Sequence, residues 1–284
     1  MRKLFRRISV FAATAAVGLT GFAAQASAAE QVYSGTGWKI ETADGIHSLS
    51  PDPYVIQLVK PTSGDKLTDS QNKTAEAQLR TQLAKTAAQL TSVTGIKFTL
   101  SSSYHSVETD CTTAERHVIV VGLRYRPYDG KPGTSRTWPC YASGNHTAWG
   151  AWIWMDSEYW NPAVWTISSW GLDDLISHEV GHAVGLDHPN VDGSDANTTA
   201  DPGECVTNSS KDIPVMCSPN GGYAHAGGSE SRAEQYAGQY TPWDIAGLKA
   251  LVANYTATTP QSSAVAPRSA GSQAPESAVI SPRM

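Results

Sequence analysis

His178-Glu179-Val180-Gly181-His182-Ala183-Val184-Gly185-Leu186-Asp187-His188 is the stretch on which the reading of this chain turns. Residues four apart share one face of a helix, so His178 and His182 can point at a single metal ion. Glu179, the next residue after His178, is rotated by roughly 100° about the helix axis and falls beside that ion. Gly185 is placed to end the helix, because glycine enters the left-handed conformation at little steric cost. The chain then doubles back and His188 brings a third imidazole. Three protein donors leave a fourth position open, the layout of a catalytic metal site and not a structural one. The chain has 8 histidines in 284 residues, and three of them fall in this stretch, which argues against accidental spacing.

Upstream, Leu172, Leu175, Ile176, Val180 and Ala183 form an apolar stripe, which predicts a helix from about Gly171 through the histidines. Residues 54–59 (Tyr-Val-Ile-Gln-Leu-Val), bounded by Pro53 and Pro61, predict a strand. Ala75, Leu79, Leu83, Ala87 and Leu90 predict a helix over 74–90, and residues 96–100 alternate as a strand. The apolar run 117–123 predicts a buried central strand, and 148–155 another. Between these two, residues 124–146 read as a Pro/Gly/Tyr-rich loop. A last helix is expected from Pro242 to about Ala253, with Thr241 as N-cap.

The stretch 178–188 resembles the zinc-binding sequence of the metzincin metallopeptidases, H-E-x-x-H-x-x-G-x-x-H, with every defining position filled. The resemblance covers about residues 50–255 and implies an α+β, zincin-type fold: a twisted mixed sheet of about 4–5 strands, an active-site helix and a C-terminal helix. It implies one Zn²⁺ on His178, His182 and His188, and Glu179 as general base and acid. Met216 resembles the methionine that forms a tight turn beneath the metal in this family. Pro189 is similar to the serralysins, but the tyrosine that follows the turn methionine in serralysins and astacins is Ser218 here, and Tyr223 lies further on. The segment Thr241-Pro242-Trp243-Asp244-Ile245 is similar to the closing helix of matrixins. The chain is therefore read as matrixin-like. The resemblance also makes the tryptophan-bearing strand (Trp149, Trp152, Trp154, with Trp160 after it) the edge that pairs with extended substrate. Packing into the core is the commoner fate of clustered tryptophans and the preferred reading of their side chains.

Four basic residues (Arg2, Lys3, Arg6, Arg7), an apolar run and Ala26-Ser27-Ala28 mark residues 1–28 as a secretory signal peptide. Residues 29–50 read either as a short pro-segment or as the first part of the domain, with 51–255 the catalytic domain. Residues 256–284, rich in Ser, Ala and Pro, read as a disordered tail. The net charge of −5, with no basic run, excludes nucleic acid as an expected partner. No later stretch is expected to enter a membrane. Cys111, Cys140, Cys205 and Cys217 all lie in the exported part, where an oxidising compartment favours disulfides. Three connectivities are open, and Cys111–Cys140 with Cys205–Cys217 is preferred, since each pair brackets one loop-like stretch. Asp192, Asp195, Asn197 and Asp201 miss the EF-hand spacing and read as an exposed polar loop, with structural Ca²⁺ as the alternative. His105, His117, His146 and His225 have no partner spacing.

The expectation from these readings is a secreted, extracellular, monomeric zinc endopeptidase acting on protein or peptide. A non-catalytic binding module of the same fold and a zinc amidase acting on cell-wall peptides are the alternatives.

Overall fold

The computed structural model describes residues 30–105, 111–112, 114–191, 203–219, 221–225, 228–258 and the backbone of 278–280. The signal peptide and the Asp192–Asp201 calcium reading lie outside the described residues.

Strands β1 (Ser34–Gly35), β2 (Trp38–Ile40) and β3 (Ser48–Leu49) precede the first long strand, β4 (Tyr54–Val59). In β4, Tyr54, Ile56 and Leu58 are buried and alternate with half-buried neighbours, as the period of two requires. Helix α1 (Asp69–Thr94) starts earlier than its apolar stripe suggests. Thr68 and Gln71 form a reciprocal capping box that satisfies two N-terminal donors. It ends at Gly95, whose φ of 73° is left-handed and whose absent side chain would meet nothing within 4 Å. Gly95→Ala is therefore expected to cost about 1–2 kcal/mol from backbone conformation alone, readable as a lower urea midpoint with an unchanged slope.

Four further strands and one helix follow: β5 (Phe98–His105), β6 (Val118–Arg124), β7 (Arg136–Ala142), β8 (Thr147–Asp156) and α2 (Ser169–Val184). Then come β9 (Leu186–Asp187), α3 (Glu230–Tyr236) and α4 (Pro242–Thr258), with β10 (Ala278–Ile280) last. The fold is mixed α/β, with four α-helices among the described residues. The main sheet is ordered β10-β7-β8-β6-β4-β5, with β3 beside β8. β4, β5, β6 and β8 run parallel, and β7 is antiparallel to β8.

Two expectations about the sheet are corrected. Residues 136–142 are a strand and not loop; Pro139 masks it in the sequence, but proline is tolerated where a strand has only one long neighbour. The tryptophan-bearing β8 is not the edge: it lies between β6 and β7, and β7 is the outer long strand. The hairpin connecting β7 to β8 is what places β7 outside.

One face of the sheet carries α1, α2 and α4 over a core that includes Ile56, Ile119, Ile153, Met155, Leu79, Leu83, Ile176 and Val180. The other face carries a second cluster of Val118, Val120, Trp149, Trp152 and Trp154, closed by the Cys111–Cys140 disulfide. The expected Cys205–Cys217 bridge is formed as well. Because β6 is covered on both faces, its apolar run is continuous.

Residues 33–50 are woven into the domain. β2 pairs with β9, and Ile40, Ile46 and Leu49 are buried at 0–1 % exposure. Each such burial contributes about 1.5–3 kcal/mol. Asn254 of α4 fastens the same segment through its side chain to Val32 and to the carbonyl of His47. α4 runs to Thr258, and Ala278–Ile280 pairs with Cys140–Ala142 along the outer side of β7. A short Ala-Val-Ile run can add to a strand with unpaired backbone groups. No helix among the described residues is long and apolar enough to cross a membrane.

Candidate metal centre

Helix α2 begins at Ser168, whose side chain accepts the Gly171 N–H at 3.0 Å. It packs across β7 and β8. Its last two turns carry His178 and His182 on one face. Gly185 closes it at φ 108°, where a side chain would also strike Ile46. β9 then turns the chain back beside β2. Lys39 reaches Asp187 at 2.8 Å, and the other oxygen of Asp187 accepts the His188 N–H at 2.8 Å. This brace delivers the third imidazole.

The three Nε2 atoms form a nearly equilateral triangle: 3.1 Å between His178 and His182, 3.1 Å between His178 and His188, and 3.0 Å between His182 and His188. His178 Nδ1 donates to the Val215 carbonyl at 2.8 Å, and His182 Nδ1 donates to the Leu186 carbonyl at 2.9 Å. A carbonyl can only accept, so both rings carry their proton on Nδ1 and turn an Nε2 lone pair inward. Burial lowers the pKa of His178, and burial followed by the neighbouring His188 and His178 lowers that of His182 well below the ordinary value. Neutral imidazoles with converging lone pairs repel one another unless a cation sits among them. The donor set thus fits a metal ion, and these three residues are the only such group among the described residues.

Glu179 is buried beside this triangle. Its carboxylate accepts a hydrogen bond from Thr137 Oγ1, on β7. Burial raises its pKa to about 7, against the opposing pull of that hydroxyl. Beneath the helix, the Cys217 N–H bonds the Pro214 carbonyl at 3.1 Å and closes a tight turn with Met216 inside it. Met216 is buried against Gly181. A side-chain carbon on Gly181 would lie 2.2 Å from its sulfur. Gly181→Ala is therefore expected to overpack this contact and cost about 1–3 kcal/mol, readable as a lower thermal midpoint. Trimming the obstruction with Met216→Ala should recover part of the loss.

The turn is held from below. The Asp244 carboxylate accepts the N–H groups of Val215 (2.9 Å) and Met216 (3.2 Å), and both the N–H (2.9 Å) and the hydroxyl (2.6 Å) of Thr241. Thr241 stands at the N-cap of α4, its carbonyl accepting the Ile245 N–H at 3.0 Å, and its hydroxyl donates to Asp244. Asp174 of α2 accepts the N–H groups of Gly238 and Ala224, each at 2.7 Å, and ties this helix to the segment after the turn. The Cys205–Cys217 disulfide staples the same region.

The other singled-out residues lie elsewhere. Trp149, Trp152 and Trp154 are buried on the sheet face away from α2, so core packing is their role. Trp160 packs in the helix-side core. His105 stands edge-on to Trp152, His117 contacts Ser50, His146 stacks on His47, and His225 bonds the Lys211 carbonyl. Ser218 exchanges two hydrogen bonds with Asn190, and Tyr223 packs on Tyr236. Thr137 and the bracing by Asp244 have no signal in local spacing, because each acts across more than 25 residues of chain.

No family model matches the chain, and no curated protein matches it.

Proposed function

We propose that the protein is a secreted zinc endopeptidase of metzincin type, matrixin-like in its closing helix. The observation that carries this reading is the triangle of three buried Nε2 atoms with Glu179 as the next residue along the helix. Three neutral imidazoles suit zinc among the common divalent ions. A zinc ion held there supplies Lewis acidity toward a water and a peptide carbonyl. Glu179 takes a proton from the water as its oxygen attacks the carbonyl carbon. It then gives that proton to the nitrogen as the C–N bond breaks, so no covalent enzyme intermediate is needed. Met216 and the turn around it form an apolar floor that holds His178 through Val215.

The outer side of β7 supports an extended peptide as substrate. Among the described residues, nothing pairs with the outer side of 136–139, the part of β7 that carries Thr137. An extended chain can add there by backbone hydrogen bonds. The two disulfides favour an oxidising, extracellular setting.

The test is a denatured peptide library and a panel of cell-wall peptides, each incubated with zinc-loaded and with chelated protein, with products mapped by mass spectrometry. Cleavage of internal peptide bonds that stops on chelation and returns with zinc is the expected result. Cleavage confined to wall peptides would move the reading to an amidase. No cleavage of either by zinc-loaded protein would leave a binding module.

A further inference from the structure

We infer that Thr137 is a positioning residue for Glu179, fixing one carboxylate oxygen so that the other is presented to the reacting water. The inference rests on the peptidase reading and concerns a residue outside the sequence 178–188. Thr137 lies opposite Ile153 in the β7–β8 register. Ile153 belongs to the helix-side core, and directly opposed residues project from the same face, so Thr137 projects toward α2. It is wholly buried there. A hydroxyl in an apolar helix–sheet interface is unfavourable unless it is bonded. Its Oγ1 bonds Glu179 Oε2, and the Glu179 carbonyl is further off at 3.3 Å. A hydroxyl has one proton to donate, and the nearer acceptor, the carboxylate, takes it.

The consequence is geometric. A glutamate side chain has three rotatable bonds, and each rotamer carries its oxygens to a different place. With Oε2 tied to the sheet, Oε1 is left to accept a proton. Thr137 also sits on the strand whose outer side would hold an extended substrate. Base and substrate are then referenced to one rigid element, as productive geometry requires.

The test combines two readouts on the full chain. In zinc-loaded protein, Thr137→Val, which keeps the shape and removes the hydroxyl, should lower kcat by ~10- to 100-fold with KM and zinc content unchanged. Thr137→Ser should restore kcat to within about 3-fold, since it returns the donor. In metal-free protein, Thr137→Val should lower the thermal midpoint by a few degrees when Glu179 is present, and by clearly less in a Glu179→Ala background. Equal kcat in wild type and Thr137→Val, or additive midpoint shifts in the metal-free cycle, would overturn the inference. An inactive zinc-loaded wild type would instead overturn the peptidase reading and, with it, the catalytic part of this one. The metal-free cycle would still decide whether Thr137 holds Glu179.

Discussion

Glu179→Gln is expected to bind zinc as wild type does and to hydrolyse peptide about 10²–10⁴-fold more slowly. Gln keeps the size of the side chain and its oxygen acceptor for the Thr137 hydroxyl. It cannot take up a proton near neutral pH. None of the three imidazoles is altered, and neither carbonyl that orients His178 and His182 is touched. Binding and chemistry should therefore separate in one variant. Zinc content by atomic absorption and kcat/KM on a peptide found by library mapping are the two measurements. A variant with full zinc occupancy and full activity would remove Glu179 from the mechanism. Loss of zinc would show that the carboxylate helps hold the ion and is not only its neighbour.

Asp244→Ala is expected to destabilise the fold by about 3–5 kcal/mol and to weaken zinc binding by about 10- to 100-fold. The carboxylate is buried and serves four donors, the N–H groups of Val215, Met216 and Thr241 and the Thr241 hydroxyl. Alanine leaves them without their acceptor, and an unsatisfied buried donor costs about 1–3 kcal/mol before relaxation. The effect on the metal follows from position. Val215 accepts from His178 Nδ1, so a turn that shifts also turns the imidazole. Thermal melts and competition against a chelator check the two parts separately. A large stability loss with unchanged zinc affinity would show that the Cys205–Cys217 bridge alone keeps Val215 in place.

The order of the elements could be followed along the chain because most of them are patterned locally. The stripe of α1, the alternation of β4 and the apolar run of β6 each arise from a face, or both faces, turned inward. Gly185 and its left-handed φ were legible for the same reason, since a helix end is a local event. β7 was not legible. Its Pro139 and its place among turn residues obscure a strand that only its pairing with β8 defines. The place of β8 inside the sheet was not legible either, because a strand's neighbours are a property of the sheet and no spacing within β8 reveals them.

The sequence by itself determined which three histidines could hold a metal ion, the carboxylate beside them and the end of their helix. Helical periodicity brings residues four apart together whatever surrounds them. Tertiary structure alone decided which strand stands outermost beside the site, that Ile40, Ile46 and Leu49 belong to the core, and that Thr137 and Asp244 hold Glu179 and the Met216 turn. Those contacts join segments far apart in the chain, and only the packing of helix on sheet fixes their distances.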